Sequence, residues 1–366
     1  MSVTLNGTSG LTFNDATTQN TSAFYGGLAF RNRIINGSMQ IDQRNAGASV
    51  TPTTDGTYTL DRWVSGLSQA SKFSVQKSST APTGFVNSLA VTSLSSYTVG
   101  ASENFRLEQK IEAFNVSDLG WGTANAATVT LSFWVRSSLT GTFGGSVINY
   151  NATRSYPFSY TISSANTFEY KTVTIAGDTS GSWYTNNNLE GIRIIFGLGV
   201  GSSVSGTAGA WASATYLSAT GATSVVGTNG ATFYITGVQL EKGSTATSFD
   251  YRPYGTELAL CQRYYEKVSN TSNNAFCTGM ATQSTVFRGF LGFQVEKRAT
   301  PSVGYSSANS FLIQGNNTNY TPTATGTVGY GTKGVYTQFG TTGMTQGHAL
   351  CLIDGSGSYA EFIAEL

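Results

Sequence analysis

Residues 128–136 read TVTLSFWVR, and this stretch decides the fold class. Apolar side chains occupy every second position: Val129, Leu131, Phe133 and Val135. Successive side chains of a β-strand point to opposite faces, so the pattern predicts a strand with one face in a core and the other toward solvent. Trp134 falls on the face opposite Phe133, where we expect it to pack against the sheet.

Similar segments recur between residues 32 and 252 at the spacing of an all-β domain. Stretches rich in Gly, Ser, Thr and Asn separate them, as turns require. The number of strands, about ten, is typical of a two-sheet sandwich. We therefore predict an all-β chain in which residues 29–253 form a jelly-roll β-sandwich. The clearest of the other segments are residues 170–175, 193–196 and 232–235.

The chain divides into further parts on either side of this domain. Residues 1–28 hold too little apolar surface to form a core alone, so we expect them to pack on a partner chain, to pack on the next domain or to stay flexible. A linker helix is predicted within residues 254–270, with Thr256 as its N-cap and a helical pattern through residue 267. Residues 271–366 return to strand patterns and predict a small C-terminal β domain.

One face of the predicted helix carries Leu258, Cys261 and Tyr265. Two placements of this apolar face are open. The helix could line a threefold axis, which makes these residues candidates for an oligomer interface, or it could pack between the two β domains of one chain.

Composition excludes several functional classes. Charged residues make up 11% of the 366 residues and the net charge is +1, so the chain lacks the basic excess that binds phosphate backbones. No apolar run is long enough to span a bilayer and no basic-then-apolar leader opens the chain, so we expect neither membrane insertion nor signal-directed export. The single histidine, His348, and three cysteines without a CxxC pair give no triad, zinc ribbon or disulfide framework.

Two segments carry a first resemblance. Residues 32–40, NRIINGSMQ, and residues 233–241, FYITGVQLE, resemble the opening and closing strands of jelly-roll carbohydrate-binding modules of the galactose-binding-like group. That resemblance implies a sugar-binding domain. Thr236 stands where those modules often carry an acidic residue, which argues against a structural calcium ion, so no cofactor is expected.

A second resemblance covers about residues 30–267. RNRIINGSMQIDQR at 31–44, YTLDRW at 58–63, TLSFWVRSS at 130–138 and FDYRPYGTELALCQRYY at 249–265 are similar to a recurrent module of tailed-bacteriophage tail fibres. It implies a homotrimeric virion protein that is made in the host cytoplasm, released by lysis, attached to other tail or baseplate proteins through its N-terminus, and directed at host surface polysaccharide. The same resemblance implies that residues 1–28 are a virion-attachment or trimerisation segment.

Glycan binding needs aromatic faces for sugar C–H surfaces and amides for sugar hydroxyls. Both occur together in a turn-rich stretch, and two more loop tryptophans are further candidates. The alternative for each tryptophan is that it anchors its loop by packing. The candidate ligand-binding residues are Trp183, Tyr184, Asn186, Asn187, Asn188, Trp211 and Trp121.

Catalysis is not expected, because the 19 acidic residues are scattered and no β-helix repeat of a depolymerase is visible. Two functions remain. The chain is either a tail fibre or adhesin that binds host glycan through the jelly roll or the C-terminal domain, or a purely structural virion component such as a fibre adaptor, baseplate or decoration protein.

Overall fold

A computed structural model describes residues 31–269, 275–315 and 317–366, together with the backbone of three short strands near the N-terminus. These strands form an antiparallel sheet in the order β1-β2-β3. The rest of the predicted attachment segment, 1–28, lies outside the described residues. The three strands are β1 (Thr4–Asn6), β2 (Gly10–Thr12) and β3 (Thr18–Gln19).

A two-sheet sandwich follows. One sheet has six strands in the order β11-β10-β13-β8-β5-β4, and the other has five in the order β12-β9-β16-β7-β6. A parallel pair, β14-β15, lies beside them. The strands are β4 (Thr57–Leu60), β5 (Trp63–Leu67), β6 (Phe73–Ser78), β7 (Ser88–Ser93), β8 (Asn104–Glu112), β9 (Val129–Ser137), β10 (Gly141–Asn149), β11 (Ser155–Ile162), β12 (Glu169–Ile175), β13 (Glu190–Val200), β14 (Ser205–Gly206), β15 (Ser218–Ala219) and β16 (Thr232–Lys242).

Alternation places the core between these sheets. On β9, Leu131 and Phe133 are fully buried, and the Phe133 ring packs edge-on against Phe196 of β13, 5.1 Å between centroids. Neighbouring strands in each main sheet are antiparallel and mostly not consecutive in sequence, so the chain crosses between the sheets repeatedly. The predicted all-β jelly-roll sandwich is confirmed. Short 3₁₀ helices span Ala113–Leu119 and Ser202–Val204.

The C-terminal part has its own core. A three-stranded sheet in the order β17-β26-β20 and a seven-stranded sheet in the order β22-β21-β25-β18-β19-β24-β23 enclose Phe287, Phe311 and Phe339. A 3₁₀ helix spans Ala308–Ser310. The strands are β17 (Tyr265–Ser269), β18 (Ala275–Gln283), β19 (Val286–Gly292), β20 (Ser302–Tyr305), β21 (Phe311–Gly315), β22 (Thr318–Tyr320), β23 (Ala324–Tyr330), β24 (Gly334–Gly340), β25 (Ala349–Asp354) and β26 (Tyr359–Ile363).

The helix between the two parts, α1 (Tyr254–Gln262), is shorter than predicted. Pro253, not Thr256, is its N-cap, which suits proline because the first helical turn does not need its missing N–H. The prediction that the helix runs to residue 267 is wrong. Tyr265 already begins β17 and pairs with Ile363, so the sheet captures the residues that the helical pattern had included.

The apolar face of α1 packs within the chain. Cys261 and Tyr265 are buried, and Leu258 is half-buried against Ile35 and Ile41 of the sandwich. Cys261 and Tyr265 therefore have no surface to offer a threefold axis, which corrects the oligomer-interface hypothesis for this helix face. The alternative placement, between the two β parts of one chain, matches these contacts.

Buried ion pairs join the sandwich to the last residues of the chain. Arg62 and Arg44 both bind the Glu365 carboxylate, and the Arg62 guanidinium also lies 3.7 Å from the centroid of the Tyr264 ring. The Glu112 carboxylate accepts hydrogen bonds from Arg263 at 2.6 Å and from the Tyr264 hydroxyl at 2.6 Å. These contacts join the two β parts. The side chains of Arg62, Glu365 and Glu112 are buried in them, whereas the Arg263 side chain is 34% exposed.

Asp61 gives this junction a pH dependence. The side chain is buried, and burial raises the pKa of Asp61 from 3.8 to about 6, although the backbone N–H and side-chain amide of Gln43 both donate to it. A raised carboxyl pKa means that the folded state binds the proton more tightly than the unfolded state, so stability falls as pH rises. We expect this residue to lower the free energy of unfolding by about 3 kcal/mol between about pH 4 and 6.

Urea denaturation across this pH window measures the effect. The difference in stability between Asp61→Asn and the parent chain should change with pH through this window, because asparagine has no carboxyl group to titrate. A difference that stays constant through the window would contradict the assignment.

Candidate functional site

The solvent face of the five-stranded sheet carries a pair of aromatic side chains. Strand register puts Tyr170 of β12 directly opposite Trp134 of β9, and Trp134 opposite Thr236 of β16. The Trp134 and Tyr170 rings lie 5.4 Å apart and are tilted by 49°. Trp134 is half-buried and Tyr170 is exposed, so this pair forms one wall of a cleft.

Two loops build the opposite wall. Phe85 lies in the loop before β7, and Phe249 and Tyr251 lie in the segment after β16. Their rings touch pairwise, with centroid distances of 4.9–5.5 Å. The Tyr251 hydroxyl donates to the carbonyl oxygen of Gly84 at 3.0 Å and so ties one loop to the other.

Gly237 forms the floor where the walls meet. Its φ of +61° is a left-handed conformation that favours glycine. A Cβ atom there would lie 2.7 Å from Cζ of Phe85 and 3.1 Å from Cδ1 of Trp134. The register shift in β16 between Thr236 and Gln239 places the glycine at this position. Glycine is therefore required for the two aromatic walls to converge.

The cleft has a volume of about 450 Å³, within the range of small-molecule sites. Hydroxyl groups of Ser132, Thr247 and Ser248 are set among the rings. Among the described residues that line the cleft there is no carboxylate, imidazole, thiol or cation. These residues are Thr83, Phe85, Ser132, Trp134, Tyr170, Gly237, Ala246, Thr247, Ser248, Phe249 and Tyr251.

A buried polar network holds the loop that carries Phe249 and Tyr251. The Gln239 amide donates to Glu241 at 2.9 Å, and its carbonyl oxygen accepts the backbone N–H of Asp250 at 2.8 Å. The Thr247 hydroxyl donates to Glu241 at 2.7 Å. Gln239 and Glu241 are held in strand β16, so the loop that they bind, and the aromatic wall on it, is positioned before any ligand arrives.

The predicted tryptophan candidates meet elsewhere. Trp121, Trp183 and Trp211 form a triad with centroid distances of 4.8–5.5 Å and nearly perpendicular rings. Their indole N–H groups donate to Ala127, to Asp178 and Ser180, and to Ala176, respectively. Each ring edge faces a neighbour and each N–H has a partner inside the chain, so the triad has the geometry of packing, as the alternative interpretation had it.

The rest of that candidate stretch is also occupied by contacts within the chain. The Tyr184 ring stacks on Tyr150, 3.7 Å between centroids. Asn188 and Arg298 exchange two hydrogen bonds and so link the sandwich to the C-terminal part. The side-chain Oδ1 of Asn187 accepts the backbone N–H of Leu189 at 3.0 Å, while Asn186 is exposed. None of these side chains lines the cleft.

Sequence reasoning missed the residues that form the cleft. The sequence predicted that Trp134 packs on the sheet. Trp134 does contact Tyr170, but it also lines the cleft. One signal was available: the alternation of residues 128–136 put a tryptophan on the same face as Ser132, where side chains are expected to face solvent. Phe85 and Tyr251 gave no such signal, because both lie in loops.

Neither a metal-ion cluster nor a membrane-crossing helix occurs among the residues that the structure describes. The Thr236 hydroxyl donates to the carbonyl oxygen of Asn87 at 2.7 Å, so it serves a backbone contact. Within residues 31–269, 275–315 and 317–366, no three His, Cys, Asp or Glu side chains are grouped to hold a metal ion. Over the same part of the chain, every helix falls short of the length and apolar character needed to cross a bilayer.

Comparisons with known proteins return likenesses only among solved structures. No protein-family model matches the chain, and no curated protein does. The enzymatically active domain of tailspike protein 4 from bacteriophage CBA120 is 13% identical, with 58% of this chain and 22% of that chain covered and a TM-score of 0.33. The chain therefore spans about a fifth of that tailspike.

Two carbohydrate-binding modules are similar to the same extent. TmCBM61, solved with β-1,4-galactotriose, is 12% identical, with 58% of this chain and 99% of that chain covered and a TM-score of 0.30. The family 11 module of a cellulosomal cellulase of Clostridium thermocellum is 13% identical, with 54% and 98% covered and a TM-score of 0.26.

Proposed function

We propose that this chain binds glycan, without catalysis, in the aromatic cleft of its sandwich. The observation that carries the proposal is the pair of converging aromatic walls, Trp134 and Tyr170 against Phe85, Phe249 and Tyr251, with hydroxyl groups between them. Sugar rings present apolar C–H faces that stack on aromatic side chains, and their hydroxyl groups bond to polar side chains beside the rings.

The lining also indicates which glycan the cleft accepts. All of its side chains are uncharged, so an ionised sugar would lose hydration there without gaining a counter-charge. A neutral saccharide is the chemistry that fits. Hydrolysis would need a pair of carboxyl groups beside the bound sugar, and the described lining provides none, which supports a binding role.

We further propose that this binding serves a tailed-phage virion, as a tail fibre or adhesin that contacts host surface polysaccharide. Support comes from the sequence resemblance of residues 31–44, 58–63, 130–138 and 249–265 to the tail-fibre module. The homotrimer and the N-terminal attachment remain predictions of that resemblance. Native mass spectrometry of the full chain tests whether it is a trimer. Three weak sites on one particle would add by avidity.

Trp134→Ala tests the cleft. We expect it to weaken binding to neutral polysaccharides about tenfold or more, because loss of an aromatic contact of about 1.4 kcal/mol corresponds to a factor of ten. Tyr170→Ala should act in the same direction, and its exposed position makes a folding defect unimportant. Affinity electrophoresis in gels that contain neutral glucans, mannans and galactans, with a pull-down on host cells, measures the loss.

Phe114→Ala is the matched control, since Phe114 is an exposed aromatic residue of the sandwich outside the cleft. It should bind as the parent chain does. Absence of binding by the parent chain to every neutral polysaccharide and to host cells would refute the proposal and favour the purely structural virion component. Release of reducing ends from a bound polysaccharide would show a hydrolase instead.

A further inference from the structure

We infer that the outward face of the seven-stranded sheet is a second glycan-binding surface, and that its ligand is an acidic polysaccharide. The inference is independent of the sandwich cleft, because it concerns a different domain, a different set of side chains and a different ligand charge.

Three exposed aromatic residues mark one end of this face. Phe290 on β19, Tyr330 on β23 and Tyr336 on β24 are 51%, 59% and 55% exposed, and the Phe290 and Tyr336 rings lie 5.5 Å apart. A Cβ atom on Gly334 would come within 2.4 Å of Cζ of Phe290, so the ring lies against the bare backbone there. These residues line a cleft of about 420 Å³.

Polar side chains continue the surface across the sheet. Strand register pairs Tyr336 with Phe290, and in the next row pairs Gln338 with Arg288. Farther across the sheet, Gln314 lies opposite Cys351, which lies opposite Thr278.

Thr278, Gln314 and Cys351 line a second cleft of about 420 Å³. The face is therefore elongated, with aromatic rings at one end and, along the rest, hydrogen-bonding groups together with the exposed side chain of Met280, which pairs with Arg288. Such a surface suits an extended polymer better than a single small molecule.

The charge of the face selects the polymer. Arg288 and Lys333 are exposed on it, and neither cleft is lined by a carboxylate among the described residues. Among the described residues, the exposed carboxylate of Glu296 accepts the hydroxyl of Thr332, a lining residue, at 2.8 Å. Two cations against one carboxylate favour a ligand with negative charge.

The mixed chemistry of the face favours a glycan over a protein partner. The centre of a protein interface is a closely packed apolar patch. Here the aromatic side chains are set among glycines, amides and hydroxyls: Gly329, Gly331, Gly334, Gln338, Gln314 and Thr278. Exposed ring faces flanked by hydrogen-bonding groups are an arrangement that suits sugar rings.

Binding of the full-length chain to immobilised acidic polysaccharides tests the inference. The probes are polygalacturonate, alginate, hyaluronate and polysialate, each paired with its methyl-esterified, uncharged form. We expect binding to at least one acidic form and about tenfold weaker binding to its ester. Binding should also weaken in about 1 M salt, where the Debye length is about 3 Å.

Variants locate the site. Tyr336→Ala should weaken acidic binding about tenfold and Lys333→Gln severalfold. Tyr254→Ala, the same substitution at a tyrosine of α1 that is 60% exposed, should leave it unchanged. Trp134→Ala should also leave it unchanged, so failure of this surface and failure of the sandwich cleft give different results.

Either of two results would overturn the inference. One is that the parent chain binds none of the four acidic probes. The other is that Tyr336→Ala and Tyr254→Ala bind the acidic probe equally well. Circular dichroism melting tests whether both variants are folded. We expect that they are, because the side chains of Tyr336 and Tyr254 are exposed in the parent chain.

Discussion

Replacement of Glu365 by alanine should lower the free energy of unfolding by about 3–5 kcal/mol, the cost of leaving a buried charge without its partner. The Glu365 carboxylate binds Arg62 and Arg44, and the Arg62 side chain is 1% exposed. In the variant, the Arg62 guanidinium keeps a hydrogen bond to the carbonyl oxygen of Lys110 and its stacking on Tyr264, but no buried counter-charge next to it.

Burial is the largest effect on Arg62 and disfavours its charged form, but the Glu365 carboxylate acting together with Tyr264, Tyr58 and Cys261 more than offsets it, so the pKa of Arg62 is raised overall. Arg62 cannot escape by losing its proton, because guanidinium stays charged at any ordinary pH. The full cost of the missing partner therefore appears as lost stability. Urea denaturation followed by circular dichroism measures it.

Two comparisons make this result specific. Glu296→Ala, at an exposed carboxylate of the same C-terminal part, should change stability by less than about 0.5 kcal/mol. The double variant Arg62→Met with Glu365→Ala should recover part of the loss, because it removes the stranded charge. A loss below about 1 kcal/mol for Glu365→Ala, or no recovery in the double variant, would refute the proposed role of this pair.

The sequence sufficed for the features that repeat locally. Alternation in residues 128–136 predicted which side chains share a face of β9, and the structure puts Phe133 in the core and Ser132 and Trp134 on the other face. The expected exposure of that other face is wrong for Ser132, which is 2% exposed. Helix α1 was predicted too long because Tyr264 and Tyr265 continue its pattern. The helix ends where Tyr265 pairs with Ile363, about a hundred residues later in the chain. A pattern read within residues 254–270 cannot predict so distant a partner.

The candidate site shows the same limit. Its walls come from residues near 85, 134, 170 and 250, which only strand order and loop placement bring together. Within a single segment, the sequence shows aromatic residues next to amides around Trp183, so the glycan site was predicted there. Those tryptophans do converge in space, but on each other.

Trp121→Ala tests whether the three tryptophans pack as a structural cluster. It should lower the free energy of unfolding by about 3–5 kcal/mol, the usual cost of deleting a buried tryptophan side chain. Trp121 is 3% exposed and lies 4.8 Å from Trp183 and 5.3 Å from Trp211, so its removal leaves a cavity between two loops. The carbonyl oxygen of Ala127 also loses the indole N–H at 2.8 Å.

Neighbouring contacts keep that cavity from closing. Arg154 holds Asp178 with two hydrogen bonds of 2.6 Å and 2.8 Å, and the carbonyl oxygen of Asp178 accepts the backbone N–H of Gly122. Loops fixed in this way cannot collapse onto the missing ring, which places the expected loss toward the upper part of the range.

Phe114→Ala, an exposed aromatic in the adjacent 3₁₀ helix, is the control and should cost less than about 1 kcal/mol. The two interpretations of the triad then separate in one experiment. If the triad serves only packing, Trp121→Ala should bind neutral polysaccharide as the parent chain does, when binding is measured below the variant's melting temperature. If stability is unchanged while that binding is lost, the triad is the ligand site, and the assignment of the cleft formed by Trp134 and Tyr170 is wrong.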